Sequence, residues 1–289
     1  MGGNIGKERP MNWIKKNLSN VLLVLALIIG LCLLLYPTVS DYWNSLHQSR
    51  AIATYTESVA QIDNSHYSAL LEDAHTYNAR LSQLEKREWR LTDQELEEYA
   101  SILDVSGTGI MCSIEIPKIK VTLPIYHSVD EGVLQIAVGH IPGSSLPIGG
   151  ESTHSVLSGH RGLPSARLFT DLDKLIEGDT FLISVLDEVL TYEVDQILIV
   201  EPYDLSSLEI TPGEDLVTLV TCTPYGINTH RLLVRGHRIE TAKQAKTIRV
   251  SADAVQIDPT LVAPVVAAPM LLLLLLTLLL STKKKPKSR

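Results

Sequence analysis

Residues 218–238 read TLVTCTPYGINTHRLLVRGHR. Thr218 to Thr221 form an apolar, β-branched run that ends on one cysteine, Cys222. Thr223-Pro224-Tyr225-Gly226-Ile227-Asn228 is rich in turn formers, and Arg231 to Val234 is a second extended run. The pattern predicts strand, turn, strand. A return of this kind brings Arg231 beside Cys222. Most lone cysteines are small buried hydrophobes. A cysteine where a strand gives way to a loop is accessible in a way that a mid-strand residue is not. A guanidinium beside a thiol favours the thiolate, although arginine cannot accept a proton at working pH.

The surrounding sequence has the same texture. Ser113-Ile114-Glu115-Ile116 alternates like a half-buried strand, and Val121 to Tyr126, Ser155 to Ser158, Thr180 to Val185 and Leu190 to Val200 are further strand candidates. One helix is expected around Phe169, Leu172 and Leu175. Many short strands and few helices predict a closed or nearly closed β-barrel. Upstream, residues 41–104 read as helical: Tyr55, Val59 and Ile62, then Leu70, Ala74, Tyr77 and Leu81, keep helical spacing. Asp63-Asn64-Ser65 marks a break, and Thr92-Asp93-Gln94-Glu95 has the form of a capping box. These helices are expected to be a stalk or outer layer.

Two uncharged apolar runs, 21–36 and 261–280, are candidate membrane spans among the 289 residues. Lys7, Arg9, Lys15 and Lys16, offset by Glu8, precede the first, while Lys283, Lys284, Lys285, Lys287 and Arg289 follow the second. Basic residues gather on the cytoplasmic side of spans, so both termini are expected there. The ends carry +3 and +5 of the formal charge, so a net charge of −8 leaves −16 for the residues between them. An acidic exterior domain is a poor candidate for nucleic-acid binding. A cleaved signal peptide is the alternative for the first run. Of three cysteines only Cys112 and Cys222 lie outside the spans, too few for a disulfide scaffold.

A cysteine nucleophile needs a base. His66, His75, His127, His140, His154, His160, His230 and His237 all lie in the exterior region, and none has metal-ligand spacing. No metal or cofactor is expected. His160 sits in Leu157-Ser158-Gly159-His160-Arg161-Gly162, between glycines that favour a loop. Spacing alone does not choose His160 over His140 or His230. For His127, His140 and His230 the plain expectation is a hydrogen-bonded structural histidine. Glu97 and Glu98 read as a solvated helix face.

Thr218-Leu219-Val220-Thr221-Cys222 resembles the TLxTC signature of the sortases, surface transpeptidases of Gram-positive bacteria. The resemblance runs from about Gly109 to Arg238. It includes Ile114-Glu115-Ile116-Pro117-Lys118-Ile119, Leu123-Pro124-Ile125-Tyr126-His127 and Ser155 to Leu163. Thr221 to Gly236, with an apolar run after the domain, is most similar to the pilin-polymerising class C group. The resemblance implies a mainly β fold, an eight-stranded barrel with short helices. It implies Cys222 as nucleophile, His160 as catalytic histidine, Arg231 as catalytic arginine and Thr221 as a substrate contact. It also implies an LPxTG-bearing substrate and an acceptor amine from a pilin lysine. Attachment to peptidoglycan is the near alternative, and a non-catalytic surface adaptor on the same barrel the distant one.

The expected organisation is a basic cytoplasmic tail (1–16), a transmembrane anchor or uncleaved signal (17–37), and an extracellular helical segment (38–105). The catalytic barrel (106–245), a linker (246–260), a second transmembrane helix (261–281) and a basic tail (282–289) follow. Two departures from the class C pattern are visible. No proline lies between Pro37 and Pro117, so the Asp-Pro-aromatic lid motif of many class C members is absent, with Trp89 as a stand-in. Cys112 occupies a position where relatives often carry glycine, and is expected to be structural.

Overall fold

The computed structural model describes residues 18–84 and 86–241. The expected basic tails, linker and second transmembrane helix lie outside them. The described residues divide at Val39/Ser40 into two units. The first is the apolar start of helix α1 (Leu18–Ala60). Among the described residues α1 is the one helix long and apolar enough to cross a membrane, and no part of its apolar window is buried.

In the second unit, the rest of α1 is followed by α2 (Asn64–Ser82) and α3 (Asp93–Ser101). Asp63 caps α2 by accepting from the His66 N–H, which is why the chain breaks there. The Thr92 and Glu95 side chains complete the capping box of α3. Both features match the sequence expectation. Eight strands then close a barrel: β1 (Ile110–Ile116), β2 (Val121–Tyr126), β3 (Val138–His140), β4 (Thr153–Ser158), β5 (Thr180–Val185), β6 (Glu188–Val200), β7 (Asp215–Thr223) and β8 (His230–Ile239). Their order around the barrel is β1-β2-β3-β4-β7-β8-β6-β5. Closure leaves no open sheet edge. The expected helix near Phe169 is a single 3-10 turn, Leu172–Lys174. A four-residue helix, α4 (Glu131–Leu134), links β2 to β3.

The interior follows from strand alternation. In β5, Phe181, Ile183 and Val185 point inward, and they join Ile114, Ile125, Leu157, Tyr192, Leu219 and Val234 in one buried cluster. The helices pack on this body as an outer layer. The Tyr55 hydroxyl donates to the Met111 carbonyl and accepts from the Leu186 N–H, at 2.8 and 2.9 Å. Asn78 makes a two-way bond with the Leu146 backbone. Cys112 is fully buried among apolar side chains, and burial pushes its thiol well up. It has no disulfide partner.

Two buried histidines hold loops to the barrel. His140 Nε2 faces the Ser145 carbonyl at 2.8 Å, which can only accept, so Nε2 carries the proton and Nδ1 accepts from the Tyr99 hydroxyl at 2.7 Å. His154 lies between the Glu209 carbonyl and the Thr218 hydroxyl, both within 2.8 Å. Burial lowers His140 from the ordinary 6.5 to about 3, and His154 to about 4. As pH falls through 6.5 the unfolded chain takes up protons that the native chain refuses. Stability should therefore decline from about pH 6.5 to about pH 3. A thermal-melt series across that window checks this; a flat melting temperature would contradict it.

Candidate active site

The sheet register assembles the site. In the antiparallel β7–β8 pair, Cys222 lies opposite Arg231, as the strand–turn–strand reading predicts. In the parallel β4–β7 pair, Ser158 lies beside Val220. Two residues further along each chain are His160 and Cys222. The β6–β8 register sets Val200 opposite Arg231. Cys222, Arg231 and Val200 therefore form one row across β7, β8 and β6, and His160 lies two residues past the last rung that joins β4 to β7. The next row holds Ser158, Val220, Leu233 and Leu198.

Because side chains alternate, Val220 and Cys222 share the outer face of the sheet while Leu219 and Thr221 face the core. Val156, Val220, Leu233 and Leu208 form an apolar cluster outside the barrel, distinct from the interior one. Trp89 and Ile141 pack on it. The loop carrying Trp89 is held by Arg87, whose guanidinium donates to the Leu208 and His154 carbonyls and lies 5.0 Å from the Trp89 ring centroid. Trp89 thus packs beside the row below Cys222.

Cys222 is half-buried at the strand end, and it is free. His160 is 27% exposed, and its Nε2 lies 3.5 Å from the Glu131 carboxylate at the start of α4. The Glu131 carboxyl is held below the usual range, first by the Gln135 side chain that donates to it, then by His160. The Phe169 N–H donates to the His160 carbonyl at 3.1 Å. The preceding glycine is required: a Cβ on Gly159 would lie 2.6 Å from the Phe169 ring. Arg231 Nη1 donates to the Asn228 and His230 carbonyls of the β7–β8 turn, so Nη2 and Nε make no bond among the described residues.

The structure places Thr221 differently from a substrate contact. It is 2% exposed, and its hydroxyl donates to the Gly159 carbonyl at 2.7 Å, inside the barrel wall. That bond ties β7 to the loop carrying His160. His230 lies on the strand next to Arg231, with its ring Nε2 3.3 Å from Glu201. His127 and His140 are buried away from the row, hydrogen-bonded as expected of structural histidines. Among the described residues no cluster of His, Cys, Asp and Glu is arranged to hold a metal ion.

Sequence reasoning passed over two contributors. Arg161 and Glu131 are ordinary charged residues in the sequence, and only the assembled loops show what they touch. The juxtaposed α1 residues are a third group: the Asn44 and Gln48 side chains donate to the Ser165 and Ile136 carbonyls, and Asp41 accepts from the Arg167 N–H. They brace the segments that follow His160 and Glu131.

A closed eight-stranded barrel with a cysteine opposite an arginine at a strand end, and a histidine loop after the neighbouring strand, defines a class of thiol-bearing barrel proteins. The family model described as Sortase domain matches residues 114–239. Sortase C1 from Streptococcus agalactiae is 53% identical, with a TM-score of 0.65, over 67% of this chain and 100% of that one. Sortase C from Streptococcus pneumoniae is 45% identical, with a TM-score of 0.60, over 66% of this chain and 97% of that one. Sortase A from Streptococcus agalactiae is 28% identical over 46% of this chain and 55% of that protein, so the match spans about half the length of this curated relative. The chain belongs to the sortase family, and its solved neighbours include class C members.

Proposed function

We propose that this chain is a membrane-anchored cysteine transpeptidase that joins pilin subunits. The single observation that supports the reading is Cys222 opposite Arg231 in the β7–β8 register, with His160 two residues past the end of β4, the strand that runs beside β7. The Cys222 thiolate attacks the Thr–Gly carbonyl of an LPxTG-like signal, forming a C–S bond. The tetrahedral oxyanion is met by the donors Arg231 leaves free of the turn. The adduct collapses by breaking the C–N bond, and His160 gives its proton to the departing glycine amine. A lysine amine then attacks the thioester. Neutral His160 takes its proton, and the thiolate of Cys222 leaves. No step needs a metal or cofactor.

The apolar part of α1 supports an anchor over residues 17–37. The basic ends flanking residues 17–37 and 261–281 support two spans, cytoplasmic termini (1–16 and 282–289) and an exterior domain made of 38–105 and 106–245 with its linker 246–260. Exposed Tyr36, Tyr42 and Trp43 follow the apolar run, as interfacial aromatics do. The 45% identity to Streptococcus pneumoniae sortase C, a protein described with a pilin substrate specificity, favours a pilin lysine over peptidoglycan as acceptor. Purified chain is given an LPxTG-bearing donor together with a pilin and a peptidoglycan-stem mimic. Covalent product on a pilin lysine is expected; product on the stem amine alone would assign the chain to wall anchoring.

A further inference from the structure

We propose that Arg161 is a positioning residue that sets His160 against Cys222, an inference that rests on the catalytic reading of those two side chains. Arg161 follows His160 in sequence, and Thr223 follows Cys222. Arg161 Nη1 donates to Thr223 Oγ1 at 3.4 Å, and Nη2 donates to the Asp173 carboxylate at 2.5 Å. The guanidinium lies 5.9 Å from the Tyr225 ring centroid. The side chain is 9% exposed, while that of Asp173 is 47% exposed. One buried cation therefore joins the histidine loop, the 3-10 turn at Leu172–Lys174 and the strand end just past the nucleophile.

The placement has a mechanical reason. The β4–β7 ladder ends near Gly159, where the Gly159 N–H donates to the Val220 carbonyl and its own carbonyl accepts from Thr221. Beyond it, among the described residues, the Arg161–Thr223 hydrogen bond is the next link from the histidine loop back to β7. Gly162 closes the same corner, since a Cβ there would lie 2.9 Å from the Tyr225 ring. A buried charge is costly unless paired. This one also leaves Nε without a hydrogen-bond partner. A residue that only filled the space would be apolar. The planar fork of arginine, which lysine cannot reproduce, reaches the carboxylate and the hydroxyl at once while stacking on the tyrosine.

The test uses the full chain with Arg161→Lys, Arg161→Met and Thr223→Val, assayed with an LPxTG peptide and a free amine. Both Arg161 variants should lose about 10- to 100-fold in kcat, with KM within about twofold, as misplacement of a reacting group requires. The extent of Cys222 alkylation by excess iodoacetamide, which reads access to the thiol, should be unchanged. Thr223→Val removes one acceptor at constant shape and should lose about threefold in kcat. Wild-type kcat in Arg161→Lys would overturn the proposal, as would a rise in KM alone, which would mark a substrate contact. If the Arg161 variants do not fold, Thr223→Val decides: wild-type kcat there overturns the proposal. Activity surviving Cys222→Ala would remove the underlying reading, whereas an inactive Cys222→Ala beside a normal Arg161→Lys removes only this inference.

Discussion

Replacing Cys222 by alanine is expected to lower amide-bond transfer by at least about 10⁴-fold while leaving the barrel folded. Cys222 contributes little to the core: it is half-buried at the end of β7, and the interior cluster is built from the alternate residues Val217 and Leu219. Its removal takes away the thiol, the strongest nucleophile of the site. What remains, Arg231 and His160, could at best assist water, and water gives hydrolysis rather than transfer. Mass spectrometry of a reaction with LPxTG peptide and a lysine-bearing acceptor reads both products. Transfer persisting in Cys222→Ala with an unaltered melting temperature would place the nucleophile elsewhere.

The second large effect is at Arg231. Removing one oxyanion donor costs about 10²- to 10³-fold in kcat in comparable sites. Arg231→Ala should show a loss of that size. Arg231→Lys should recover little of it, because a point charge does not replace a planar fork whose Nη1 is already committed to the turn carbonyls. Arg231 also steadies the β7–β8 turn through Asn228 and His230, so a modest fall in melting temperature is expected as well. If kcat stayed within a few-fold of wild type, Arg231 would be a turn-stabilising residue and no more. A steady-state comparison of kcat and KM in the two variants separates these.

The sequence carried the local half of this site and not the global half. Cys222 and Arg231 are nine residues apart, joined by a turn whose composition is legible, so their pairing follows from hairpin geometry. His160 comes from a different hairpin. Its place beside Cys222 depends on β4 running parallel to β7, a pairing between segments about sixty residues apart that no local pattern encodes. The family resemblance selected His160, and the parallel register brings the end of β4, just before His160, beside β7. Strand β3 escaped notice because three residues are too few to show alternation, and it is held by two rungs to β2 and two to β4. Thr221 shows the opposite case. Strand alternation alone turns it inward once Cys222 faces out, yet the signature motif drew attention to it as a contact. Trp89 was legible only as an unusual aromatic near a missing motif; its packing on Val220 and Leu233 depends on Arg87 reaching carbonyls on two other segments.

Arg161 and Glu131 illustrate why electrostatic support is hard to read from sequence. Each lies next to a recognisable element, but the carboxylate that Arg161 engages comes from one distant stretch, and the hydroxyl and ring from another. The α1 side chains Asp41, Asn44 and Gln48 likewise brace loops more than eighty residues away.

The central claim, that Cys222 carries the acyl group, is tested most directly by trapping the intermediate. The chain is mixed with an LPxTG peptide without an acceptor amine, quenched in acid and digested for mass spectrometry. The account predicts a thioester to the peptide's threonine carbonyl on the fragment containing Cys222, lost on adding a lysine amine as the transfer product appears. Cleavage of the peptide with Cys222 unmodified at every time point, or an acyl group on Cys112 instead, would contradict it.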